Sequence, residues 1–273
     1  MFNLSKDYLI ILFSLILMIA IAWGYLFLMA HEMKVDMGSI QMDMGSIQMG
    51  MGSMQTSDQF NMFAMPMDSQ WGLNDFIVMS VMWIVMMFAM MAPSTFIFLF
   101  IFYSMRRNMS TVKNPKLELS ILSFTYFLIW TGFSLFACFL QFILHNQGLV
   151  DFMGTMTNNY LAASTLILAG LFQFSNLKDQ CLEKCRNPLS FIMGKKIEGI
   201  KEVFSIGFKH GLFCLGCCWA LMLILFVNGV MNLLWIVILT FAILAEKIIP
   251  FHKLTSRFFG ILLVLWGTFL IIF

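Results

Sequence analysis

Seven apolar stretches, at 8–30, 76–103, 119–144, 160–176, 206–227, 231–249 and 258–273, limit what this chain can fold into. An α-helix crosses the hydrocarbon core of a bilayer in about 20 residues, and most of these stretches match that length. In lipid every backbone N–H and C=O must be satisfied inside the element that carries it. The expected fold is therefore all-α, a polytopic transmembrane helix bundle of six to seven spans. Composition agrees, with 60% hydrophobic and 11% charged residues, where soluble domains carry about 25% charge. The first stretch is 23 residues long and follows a single Lys6. A signal-peptide core spans about 7 to 15 residues and ends in small side chains, so Leu28 and Ala30 argue for a retained helix. The last stretch, at 16 residues, is either a span across a thinned bilayer or an interfacial segment.

Charge in the connectors sets an orientation. One connector carries Arg106, Arg107, Lys113 and Lys116; a second carries Lys178, Lys184, Arg186, Lys195, Lys196 and Lys201; a third carries His252, Lys253 and Arg257. The opposite loops hold at most Lys34. By the positive-inside rule the basic connectors and the N-terminus are cytoplasmic. Residues 31–72 then face outward from a multi-pass protein of the cell membrane. The chain divides into an N-terminal helix (1–30), an outer loop (31–72) and a bundle (73–273). The basic connectors serve topology and lipid contact, and no surface suited to nucleic acid is present.

The chemistry concentrates at 209–222, K-H-G-L-F-C-L-G-C-C-W-A-L-M. On a helix, His210, Cys214, Cys217 and Cys218 fall within an arc of about 100°. Cys181 and Cys185 stand at i,i+4 just upstream, with Pro188 to end any short helix they occupy, so five of the six cysteines lie within 38 residues. On the reducing side of a membrane such thiols do not form a disulfide framework. An ionisable cluster inside a span is read as functional by default. Thiolates with an imidazole suit Cu(I) or Zn(II), and a closed zinc site could use Cys181, Cys185, Cys214 and Cys217. Glu246, at the inner end of a neighbouring span, is placed to balance charge there or to pair with Lys209 or Lys247. The lone Cys138 reads as a small buried hydrophobe, and His145 as an interfacial residue.

Methionine separates the two metals. Of 26 methionines, ten lie between Met33 and Met67, six of them in an imperfect repeat MGSIQMD, MGSIQMG, MGSMQTS at 37–57. Glycine in every unit and the Ser/Gln content indicate a flexible loop. It offers Met37, Met42, Met44, Met49, Met51 and Met54 as thioether donors, which are soft and neutral and favour Cu(I) over zinc. Past the loop, Met79, Met82, Met86 and Met90 line one face of the second helix, either as packing or as a conduit. Pro93 is expected to bend that helix.

Three segments carry a resemblance: W-I-V-M-M-F-A-M-M-A-P-S (83–94), L-F-Q-F-S-N-L-K-D-Q-C-L-E-K-C-R-N-P-L (171–189), and H-G-L-F-C-L-G-C-C-W-A-L-M with N-G-V-M-N-L-L-W (210–222 and 228–235). Over about residues 71–250 the chain resembles a family of metal-binding integral membrane proteins often labelled copper chaperones. The resemblance implies a multi-span protein handling a transition metal, taken to be copper. Lys209 stands where that family usually has Arg, and Phe213 where it has Tyr.

The leading expectation is a Cu(I)-binding membrane protein for copper acquisition, transport or delivery to a membrane cuproenzyme or copper carrier. It would collect the ion at the outer methionines and pass it along the second helix to the thiols. No nucleotide-binding signature appears, so no energy source is visible. Two rivals stand beside it: a membrane thiol oxidoreductase using Cys214 and Cys217, and a structural subunit with a zinc–thiolate site.

Overall fold

The computed structural model describes residues 13–31, 71–107, 109, 112, 114–151, 153–193, 197, 199–249 and 251–272. The helices are α1 (Phe13–His31), α2 (Leu73–Arg107), α3 (Pro115–Asn146), α4 (Asn159–Phe172), α5 (Asn176–Arg186), α6 (Pro188–Met193), α7 (Ile200–Leu223), α8 (Leu225–Asn228), α9 (Leu233–Ile248) and α10 (His252–Ile272). The only other pairing among the described residues is an isolated bridge between Val150 and Met156. Among the described residues, five helices are long and apolar enough to cross a membrane, counting α7 with α8 as one, and the bent pair α4–α5 passes the same test when its two helices are taken together. Helix α9 has 16 residues. The terminal stretch is longer than the sequence suggests, because α10 begins at His252 and runs for 21 residues.

Helix α2 passes through Pro93 without ending, for 35 residues. At 1.5 Å per residue it is roughly 50 Å long, well beyond the hydrocarbon core, so it tilts or projects. Just after the proline, Ser94 Oγ and Thr95 Oγ1 both donate to the Met91 carbonyl, at 2.9 and 3.0 Å. A polar seam joins α2 to α3. Trp83 Nε1 donates to Gln141 Oε1 at 2.7 Å, and Ser134 Oγ donates to the Trp83 carbonyl. At one end Arg106 meets both oxygens of Glu118, at 2.6 and 2.8 Å, closing the connector between these two helices.

Small residues let the backbones approach, the usual basis of helix association in lipid. A Cβ at Gly207 would lie 2.9 Å from the Leu122 carbonyl, so α7 presses against α3 there. The same holds between α4 and α10, where a Cβ on Gly170 would come within 2.9 Å of the Gly260 carbonyl. Helix starts are set by side-chain caps: Asn158, Ser175 and Asn232 accept from the N–H two residues ahead. Gly229, between α8 and α9, takes a positive φ of +91°.

The fourth apolar stretch departs from expectation. It ends at Phe172, and α5 leaves it at a bend of 63°. Helix α5 then packs along α7 instead of running out as an aqueous connector. Ser175 caps the new start, and the bend turns Lys178 inward, where it finds a partner.

Candidate metal centre

Helix α7 starts at Ile200, earlier than the apolar run indicates. This makes Cys214 equidistant from the two ends of the Ile200–Asn228 span. The face predicted to carry ligands points into the bundle: Cys214, Cys217 and Cys218 are no more than 2% exposed, and His210 is 4% exposed. A second helix supplies sulfur. Cys185 of α5 neighbours Cys214 and Cys217, and Cys181 lies beside Cys217. Gly216 makes this approach feasible, since a Cβ there would lie 3.0 Å from Cys181 Sγ. Five thiols from two helices thus lie in one neighbourhood, none of them in a disulfide.

Two polar groups from other helices close on the central thiol. Lys247 Nζ of α9 lies 3.0 Å from Cys214 Sγ and also donates to Ser94 Oγ of α2 at 2.9 Å. Tyr126 Oη of α3 lies 3.1 Å from the same sulfur. Any negative charge that develops on Cys214 therefore has an ammonium and a hydroxyl already in contact.

Glu246 pairs with neither Lys209 nor Lys247. Both its oxygens, at 2.7 and 2.8 Å, accept from Lys178 Nζ of α5, which also meets Gln173 Oε1. Lys178 is fully buried, so a residue read as a topology determinant is a structural ion-pair partner. Adjacent residues on a helix point about 100° apart. Glu246 and Lys247 accordingly hold two different helices, α5 by its lysine and α7 by its central cysteine.

His210 sits one turn from Cys214 with its ring stacked on Phe98, 3.7 Å between centres and 5° between planes. Its Nδ1 is buried without a hydrogen-bond partner among the described residues. A buried unpaired nitrogen costs about 1–3 kcal/mol, which a bound ion would relieve. Among the described residues, however, no three His, Cys, Asp or Glu side chains form a ready metal pocket. The thiol orientations give the reason. Cys217 and Cys218 Sγ both turn to the Cys214 carbonyl, at 3.0 and 2.9 Å, and Cys214 Sγ faces Lys247. Metal capture requires the Cys217 and Cys218 thiols to rotate away from that carbonyl.

The stripe Met79, Met82, Met86 and Met90 is buried, with Met87 and Met91 beside it, and belongs to the same apolar cluster as the three α7 thiols. Cys181 and Cys185 pack against that cluster. Cys138 is apart from the centre: it is buried between α2 and α3, accepts from Ser80 Oγ at 3.4 Å, and has no thiol neighbour in its contacts. His145 Nδ1 contacts the Val150 carbonyl at 3.2 Å beside Trp71. Met37, Met42, Met44, Met49, Met51 and Met54 lie outside the described residues. Lys247, Tyr126 and Ser94 were not singled out from sequence as parts of the site. The only sequence signal for Lys247 is a charged pair, Glu246–Lys247, at the end of an apolar run.

Fold and site together define a multi-pass membrane protein with a buried thiol centre. A family model described as PpoB2, copper chaperone, matches residues 80–270. The chain belongs to that family, and its role is copper-related. No curated protein and no solved structure matches it.

Proposed function

We propose that this protein is a Cu(I) carrier of the cell membrane. It collects the ion through the thioethers of residues 37–54 on the outer side and holds it at Cys214, Cys217 and Cys218, with Cys185 and Cys181 alongside. From there the ion passes to a membrane cuproenzyme or copper carrier. The observation that carries this reading is the convergence of five thiols, none in a disulfide, from α5 and α7 inside an apolar bundle.

Cu(I) on two thiolates bears one negative charge, which the Lys247 ammonium 3.0 Å from Cys214 balances. Soft thiol and thioether donors favour Cu(I) over zinc. The buried methionines Met79, Met82, Met86 and Met90 provide soft donors between the outer loop and the thiols. Thioethers hold Cu(I) more weakly than thiolates, so an ion entering from the loop side descends in free energy toward α7. On arrival the metal replaces the thiol protons, and Cys217 and Cys218 give up their contacts with the Cys214 carbonyl.

Anaerobic purification with elemental analysis tests the reading. Native protein and a variant lacking residues 37–57 should retain stoichiometric copper. A Cys214/Cys217/Cys218→Ser variant should contain none. Stoichiometric zinc without copper in the native protein would overturn the proposal, as would a reversible Cys214–Cys217 disulfide accumulating in cells.

A further inference from the structure

A cavity of ≈ 710 Å³ opens where the end of α1 meets the α8–α9 turn and the loop before α4. Its metal-ligand side chains are His31, Met153 and Met231, from three separate elements. The asparagines that line it are engaged in holding backbone: Asn228 Nδ2 contacts the Ile224 carbonyl at 3.5 Å, and Asn232 Oδ1 accepts from Leu234 N at 3.2 Å. His31 hydrogen-bonds to no described residue. One imidazole and two thioethers suit a soft monovalent cation and are poor ligands for magnesium or calcium.

Placement makes this more than a donor inventory. His31 is exposed at the rim, and it is where the chain leaves α1 toward the methionine repeats at 37–57. Met231 is 8% exposed and belongs to the same buried cluster as Met222, the α2 methionines and the α7 thiols. Asn228, on the cavity wall, ends the span whose middle is Cys214, about 20 Å away along the helix.

We propose that His31, Met153 and Met231 form an acceptance site for a monovalent soft metal ion, Cu(I) or its analogue Ag(I), at the entrance to the thiol centre. Neutral donors hold such an ion loosely enough to release it to thiolates. The inference rests on the copper-carrier reading for the direction of travel, whereas the existence of the site is tested without it.

The test uses the full-length protein in nanodiscs, Ag(I) alone as probe, and carbethoxylation of His31 read by peptide mass spectrometry. At Ag(I) ten times above its dissociation constant, modification of His31 should slow by about tenfold. In Met153→Leu/Met231→Leu, which nearly preserves side-chain volume, Ag(I) should leave the rate unchanged. Met153→Leu alone, at a half-buried position, should give an intermediate response, so the outcome does not depend on the buried Met231 tolerating replacement. The Cys214/Cys217/Cys218→Ser variant should keep full protection of His31, which separates this site from the thiol centre. Absence of protection in the parent, or undiminished protection in the double variant, overturns the proposal whatever copper the α7 thiols hold.

Discussion

Cys138 and Cys214 are both fully buried thiols on long apolar helices, yet they occupy different chemical surroundings. Cys138 lies in the α2–α3 seam against Ser80 Oγ and the Phe76 carbonyl. Cys214 faces the Lys247 ammonium and the Tyr126 hydroxyl, with Cys185, Cys217 and Cys218 around it. Burial alone is what a small apolar residue would also show. What distinguishes the α7 centre is convergence: three other helices, α3, α5 and α9, each send it a group able to bind, balance or donate. The comparison teaches that burial does not separate these two thiols, whereas charged and polar company does.

The largest test of this contrast is substitution at the two cysteines. Cys214→Ser should remove tightly bound copper entirely, and Cys138→Ser should leave copper content unchanged, both read by elemental analysis after anaerobic purification. Next is the clamp that brings α5 to the centre. Lys178→Met or Glu246→Leu leaves one buried charge unpaired, at a cost on the order of 3–5 kcal/mol. Thermal unfolding in detergent should show each single variant well below the parent, with the double variant closer to it than either.

Lys247→Met removes the cation facing Cys214 and should weaken Cu(I) binding by about tenfold, the scale of one charge-assisted hydrogen bond. Competition with a colorimetric Cu(I) chelator reads it. The smallest effect is expected from Gly216→Ala. Its Cβ would lie 3.0 Å from Cys181 Sγ, a contact the thiol relieves by rotating, so destabilisation should stay near 1 kcal/mol, the low end for overpacking. Faster alkylation of Cys181 in that variant would report the displacement.

Much of this organisation was legible in the chain. Apolar runs of membrane length gave the all-α bundle, and the spacing of His210, Cys214, Cys217 and Cys218 gave their common inward face. The burial of Cys138 also followed from local signals. Helix α5 did not. Its sequence, NLKDQCLEKCR, is polar, and polarity between spans reads as an aqueous connector. The partner that draws Lys178 inward, Glu246, is 68 residues away, beyond any local pattern. His210 followed the same logic, since the ring stacked on it, Phe98, belongs to α2. Tyr126 likewise reaches Cys214 across 88 residues of sequence. Local periodicity fixes which face a side chain occupies, while pairing across helices decides what it meets.

X-ray absorption at the copper edge on Cu(I)-loaded protein tests the central claim most directly. The account predicts a sulfur-dominated first shell that persists when residues 37–57 are deleted and vanishes in Cys214/Cys217/Cys218→Ser. A copper shell unchanged by that triple substitution, or lost with the methionine repeats alone, would contradict a thiol centre on α7.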